Sequence, residues 1–83
     1  MAYSIVYKRS VRRDLKKLSK TVAKRVLDQL EEDLSDTPER FPPLKGEFAG
    51  LRKYRVGDSR VIFAIVESDV LILRIGHRKD VYR

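Results

Sequence analysis

Leu51-Arg52-Lys53-Tyr54-Arg55-Val56-Gly57-Asp58-Ser59-Arg60-Val61-Ile62-Phe63 is the stretch on which the fold of this chain turns. Two runs of β-branched, aromatic and basic residues flank Gly57-Asp58-Ser59, a tight-turn sequence, so the stretch reads as an antiparallel hairpin. Its first strand runs from Leu51 to Val56 and its second from Arg60 to Glu67. Strand side chains alternate between faces. Tyr54 and Val56 therefore share one face with Arg52, while Leu51, Lys53 and Arg55 share the other. In the second strand Val61, Phe63 and Ile65 oppose Arg60. The apolar rows need a cover that removes them from water, which leaves Lys53, Arg55 and Arg60 on the uncovered side. Arg52 breaks the pattern and is expected to snorkel to the sheet edge.

Toward the C-terminus, Ser68-Asp69 turns the chain and Val70 to Ile75 forms a third strand. Strict alternation there places Leu71, Leu73 and Ile75 on the covered face, and Arg74 and Arg78 on the open one. Toward the N-terminus, Asp36 to Pro43 is an ordered loop: Pro38 cannot continue a helix, and Phe41 tucks against the core. Before it, Val22, Val26, Leu27, Leu30 and Leu34 repeat with helical period behind Ser19, an N-cap residue. Ser10 offers a cap for a shorter helix striped by Val11, Leu15 and Leu18, with Arg12, Arg13, Lys16 and Lys17 toward water. Tyr3 to Lys8 alternates as an opening strand. The order is β-α-α-β-β-β, an α+β fold in which a helical hairpin packs on one face of a curved antiparallel sheet. Residues 1–83 make a single domain.

The charge distribution narrows the function. The net charge is +7, which favours an anionic partner. From Leu44 onward nine Lys/Arg stand against five Asp/Glu, and most of the nine lie in or beside strands. With no cysteine, there is neither a disulfide framework nor a thiolate metal site, as expected of a cytoplasmic protein. Met1-Ala2-Tyr3-Ser4 lacks the pattern of a signal peptide. The longest apolar run, Val61 to Val66, is too short for a membrane span, so no membrane partner is expected.

The residue inventory excludes most familiar catalysis. One histidine and dispersed carboxylates give no serine triad, metal cluster or acid pair, and the glycines form no phosphate loop. No cofactor is expected. Metal-free RNA cleavage remains open: the ribose 2′-OH attacks the adjacent phosphorus while cations stabilise the developing charge. Tyr82, four residues after Arg78, adds an aromatic platform for a base. His77 is a candidate acid or base by its chemistry, although parity places it on the helix side.

These pieces, in order, resemble the RelE/ParE toxin superfamily. The hairpin quoted above is similar to the family's central hairpin, and Leu73-Arg74-Ile75-Gly76-His77-Arg78-Lys79-Asp80-Val81-Tyr82-Arg83 to its last strand. Tyr3-Ser4-Ile5-Val6-Tyr7 and Leu44-Lys45-Gly46 match its opening and the approach to the hairpin. The resemblance covers essentially the whole chain. It implies a ribosome-dependent endoribonuclease that cuts mRNA in the A site, leaving a 2′,3′-cyclic phosphate or 3′-phosphate and a 5′-hydroxyl. It also implies a cognate RelB-like antitoxin, and operator DNA bound only through the antitoxin complex. Carried over by motif, the catalytic set is Lys53, Arg55, Arg60, Arg78 and Tyr82. Lys53 and Arg60 stabilise the transition state, Arg78 assists the leaving oxygen and Tyr82 orients the substrate. Lys45, Arg74, His77 and Arg83 are expected to contact RNA.

Arg55 stands where some relatives have lysine, and a guanidinium with a pKa above about 12 is a poor base. Proton abstraction is thus open among Lys53, Tyr82 and His77. The turn between Arg55 and Arg60 is also shorter than in some relatives, and a chain ending at Arg83 lacks the C-terminal helix of some members. Two other functions share the fold: a ParE-type toxin that poisons DNA gyrase by protein contact without cutting RNA, and a binding module without catalysis.

Overall fold

The helical stripe and the strand alternation meet in one core. In the computed structural model, which describes residues 3–44 and 50–77, the elements are β1 (Ser4–Tyr7), α1 (Val11–Lys16), α2 (Lys20–Leu34), β2 (Arg52–Val56), β3 (Ser59–Val66) and β4 (Asp69–His77). A short 3-10 turn, Pro38–Arg40, follows α2. Val26, Leu30 and Leu34 of α2 and Val11 of α1 bury against Tyr54, Val56, Val61, Phe63, Val70, Ile72 and Ile75 of the sheet. The fold is α+β, as the sequence implies. Among the described residues no helix is long and apolar enough to cross a membrane.

The strand order is β1-β4-β3-β2. β2, β3 and β4 are antiparallel neighbours, joined by two-residue turns. Gly57 opens the first turn with φ +58°, a left-handed conformation that costs glycine nothing. β1 departs from the expected all-antiparallel sheet. It pairs parallel to β4, with Ser4 opposite Asp69 and Tyr7 opposite Ile72, so the sheet is mixed. The cause is connectivity: β1 reaches the sheet through the helical hairpin, not a tight turn, and a long crossover permits parallel pairing.

A bulge corrects the parity of β4. Ile62 pairs with Arg74, but the next residue, Phe63, pairs with Ile72. Leu73 is therefore the extra residue. The buried set of β4 is Val70, Ile72 and Ile75, where unbroken alternation expects Leu71, Leu73 and Ile75. The phase is right after the bulge and inverted before it.

The helix ends differ as well. The Ser19 hydroxyl accepts from the Val22 amide at 3.2 Å, an ordinary N-cap. Ser10 makes no side-chain cap bond, because its backbone is already helical and its hydroxyl cannot reach the amides ahead. Two phenols tie α2 to the two outer strands. Tyr7 of β1 donates to Glu31 and Tyr54 of β2 donates to Asp33. Burial first, then the carboxylate bond, pushes both phenols well above their ordinary value.

Candidate nucleic-acid interface

The register decides which basic side chains share a surface. Residues directly opposed in an antiparallel pair project to the same face. Arg55 is opposed to Arg60, and Lys53 to Ile62. Ile62 is opposed in turn to Arg74, and Arg60 to Gly76. Lys53, Arg55, Arg60 and Arg74 therefore belong to the face away from the helices. Lys53 and Arg55, on the outer strand, are exposed, while Arg60 and Arg74 are half-buried. Ile62 lies among them and is only 4% exposed, yet it stands apart from the helix-side core.

Three of these cations border a cleft of about 340 Å³. Its described lining is Lys53, Arg55 and Arg60 together with Phe41, Pro42 and Tyr54. Arg52 shapes the Phe41–Pro42 part. Its Nη1 donates to the carbonyls of Glu39 at 3.0 Å and Phe41 at 2.8 Å, so the expected escape to the sheet edge ends on backbone oxygens. The Lys53 amide donates to the Pro42 carbonyl at 3.2 Å, and the Leu44 amide to the Leu51 carbonyl at 2.8 Å. Phe41 stands edge-on to Tyr54, with ring centroids 5.0 Å apart, and to Phe63 at 6.5 Å.

Arg74 is less available. Its Nε donates to the Asp14 carboxylate at 3.1 Å, and the same oxygen accepts from the Ile75 amide at 3.0 Å. β1 pairs with β4 only as far as Ile72. Asp14 thus satisfies a strand edge that β1 leaves open, and Arg74 follows it toward α1. His77 pairs with Ser59 and borders a hollow with Leu18, Ser19, Val22 and Val56. It lies on the helix side, as parity implied, away from Lys53 and Arg55. Lys45, Arg78, Tyr82 and Arg83 lie outside the described residues.

Asp14 and the Phe41–Pro42 wall are the features that the sequence reading missed. For Asp14 the signal was present: it lies at helical spacing from Val11 and Leu18, on the apolar stripe, and is 7% exposed. An acid on a buried face needs a partner. The wall had no comparable signal, because it depends on where Arg52 points.

Comparison with known proteins supplies the family. A family described as ParE toxin of type II toxin-antitoxin system, parDE, matches residues 5–82. The chain is 37% identical over 86 residues to Toxin RelG of Mycobacterium tuberculosis, spanning 100% of this chain and 99% of the relative. This chain belongs to the RelE/ParE toxin superfamily. As a superfamily member it is a toxin of a type II toxin–antitoxin system. The toxin–antitoxin complex RelBE2 from M. tuberculosis contains a chain that superposes with TM-score 0.87 at 34% identity, covering 94% of this chain and 100% of that one. The chromosomal ParDE system from P. aeruginosa shares the superfamily fold at TM-score 0.73 and 16% identity, covering 92% and 96% of the two chains.

The superfamily fold leaves a second concavity here, on the opposite side from the cleft. It is a groove of about 570 Å³ where β1 leads into α1. Leu15 and Leu27 contribute apolar lining, Lys8, Arg9 and Arg12 contribute cations, and the Tyr7–Glu31 pair closes one side.

Proposed function

We propose that this toxin cuts mRNA in the ribosomal A site by metal-free attack of the ribose 2′-OH, and that a RelB-like antitoxin restrains it. The observation that carries this reading is that Lys53, Arg55 and Arg60, which share the sheet face that the helices leave uncovered, line one cleft. Like charges brought together repel. A phosphodiester entering the cleft gains at every one.

In the proposed reaction the 2′ oxygen forms a bond to phosphorus as the bond from phosphorus to the 5′ oxygen breaks. The 2′-OH proton leaves to a base, and the 5′ oxygen takes a proton to become a hydroxyl. The products are a 2′,3′-cyclic phosphate and a 5′-hydroxyl. Arg55 and Arg60 supply charge to the pentacoordinate oxygens and, as guanidiniums, no base. Of the three candidates for that base, His77 lies on the helix side. That leaves Lys53 and Tyr82 for the base. Arg78 and Tyr82 keep the leaving-group and substrate-orienting roles that the family resemblance gives them. Lys45 and Arg83 keep the RNA-contacting role that the family resemblance gives them, whereas Arg74 is committed to Asp14.

The antitoxin is expected to be acidic where it meets the Lys8–Arg9–Arg12 groove, since its apolar lining and cationic rim suit a segment carrying both leucine-like and acidic residues. Relatives at 34–37% identity bear Rel names, which supports the nuclease reading. The ParE description of the matching family supports a second one, gyrase poisoning by protein contact. Primer extension on an mRNA under translation separates the two. Codon-positioned cuts that vanish with Lys53→Gln support the nuclease. Gyrase-dependent DNA breaks with intact mRNA support the second reading and exclude the first.

A further inference from the structure

β2 is an edge strand, and an arginine on its helix-facing row would ordinarily bury charge or swing out to water. Arg52 does neither: it is half-buried, and its guanidinium is committed to two carbonyls of the preceding turn. Charge-assisted bonds of this kind are stronger than neutral ones. The segment they hold is also pinned by the Lys53–Pro42 and Leu44–Leu51 backbone bonds and by the edge-on contacts of Phe41 with Tyr54 and Phe63. Restraint from three directions fixes Phe41 and Pro42 as a wall. Pro42 itself is exposed, so its ring is offered to the cleft rather than consumed by the core.

Lys53, Arg55 and Arg60 line the same cleft. One concavity thus presents a rigid apolar plane and three cations. Its volume of about 340 Å³ falls at the lower end of small-molecule sites, which start at about 300 Å³. A planar, weakly polar ring carried on an anionic backbone fits both at once. A free phosphate uses only the cations, and an apolar side chain only the plane.

We infer that the cleft is a nucleobase subsite: one base of a single-stranded RNA lies against Pro42 and Phe41 while its neighbouring phosphate is held by Lys53, Arg55 and Arg60. Arg52 is a positioning residue that sets the wall through the carbonyls of Glu39 and Phe41. This rests on the RNA reading above and adds to it a base contact at the edge of β2.

The test measures binding of a fluorescent single-stranded RNA hexamer to the full chain at low salt, against hexamers lacking one base at each position in turn. Stacking contacts are worth about 1–3 kcal/mol, so omission of one base is expected to weaken binding by about 5- to 150-fold at a single position. Pro42→Gly keeps the carbonyl that accepts from Lys53 and removes the ring. It should bring the intact hexamer down to the affinity of the base-less one. Arg52→Gln should lose the same discrimination, and Arg52→Lys, which can reach one carbonyl, should recover part of it; a circular-dichroism melt shows that each variant is folded. RNA bound equally well with every base omitted, or discrimination surviving Pro42→Gly, overturns the subsite while leaving the RNA reading intact. No RNA bound by the unaltered chain overturns the subsite, and primer extension on translated mRNA decides the RNA reading separately.

Discussion

The β2–β3 hairpin carries two chemistries on one backbone. On its helix-facing side, Val61 and Phe63 are fully buried and Tyr54 is nearly so, and each owes its position to packing. On the other side, one residue along, Lys53 and Arg55 are exposed and Arg60 half-buried. The difference teaches that a period of two lets a very small domain separate stability from function within one sheet. It also means that neighbouring substitutions should have unrelated consequences.

The largest expected effect lies on the covered face. Phe63→Ala removes the largest fully buried side chain and should cost about 3–5 kcal/mol, much of the stability of a domain this small. Urea unfolding measures it, and a loss under 1 kcal/mol would break the division between the faces. On the open face, Lys53→Gln should leave the urea midpoint within about 0.5 kcal/mol and lower mRNA cleavage about 100-fold. Parallel loss of stability and activity would show that Lys53 serves the fold.

Asp14 tests the seam between the faces. Asp14→Ala leaves the Ile75 amide without its acceptor and should cost about 1–3 kcal/mol. Asp14→Asn, which retains an acceptor, should cost less; equal losses would mean that charge rather than the strand edge is what matters.

The tyrosine ties sharpen the comparison with pH. Their phenol pKa values are raised in the folded state by burial, then by Glu31 or Asp33. The neutral form is thus favoured on folding. That stability is fully present below pH about 10, the unfolded value, and fades as pH rises through the higher folded values. Thermal melts from pH 8 to 12 should fall at the alkaline end, with a shallower fall in Tyr54→Phe. An unchanged slope in that variant would remove Tyr54 from the account.

The smallest effect is expected at the second hairpin turn. Glu67 has φ +57°, which costs a residue with a Cβ about 1 kcal/mol relative to glycine. Glu67→Gly should raise stability by at most that amount without touching either face, and a drop in the melting temperature would contradict it.

Local pattern alone was enough for much of this. The alternation from Tyr54 to Ile65 assigns the hairpin faces, because neighbouring strand residues point oppositely whatever lies around them. The period from Val26 to Leu34 and the prolines after it place α2, because helix geometry and the missing proline amide are local constraints. Lys53, Arg55 and Arg60 were legible as one surface for the same reason. Tertiary structure decided the rest. The direction of β1 depends on where the helical hairpin returns the chain, the extra residue at Leu73 depends on how β4 must curve under two helices, and the partners of Asp14 and Arg52 are groups distant in sequence. Periodicity encodes which way a side chain points; what it meets there is fixed only when the layers close.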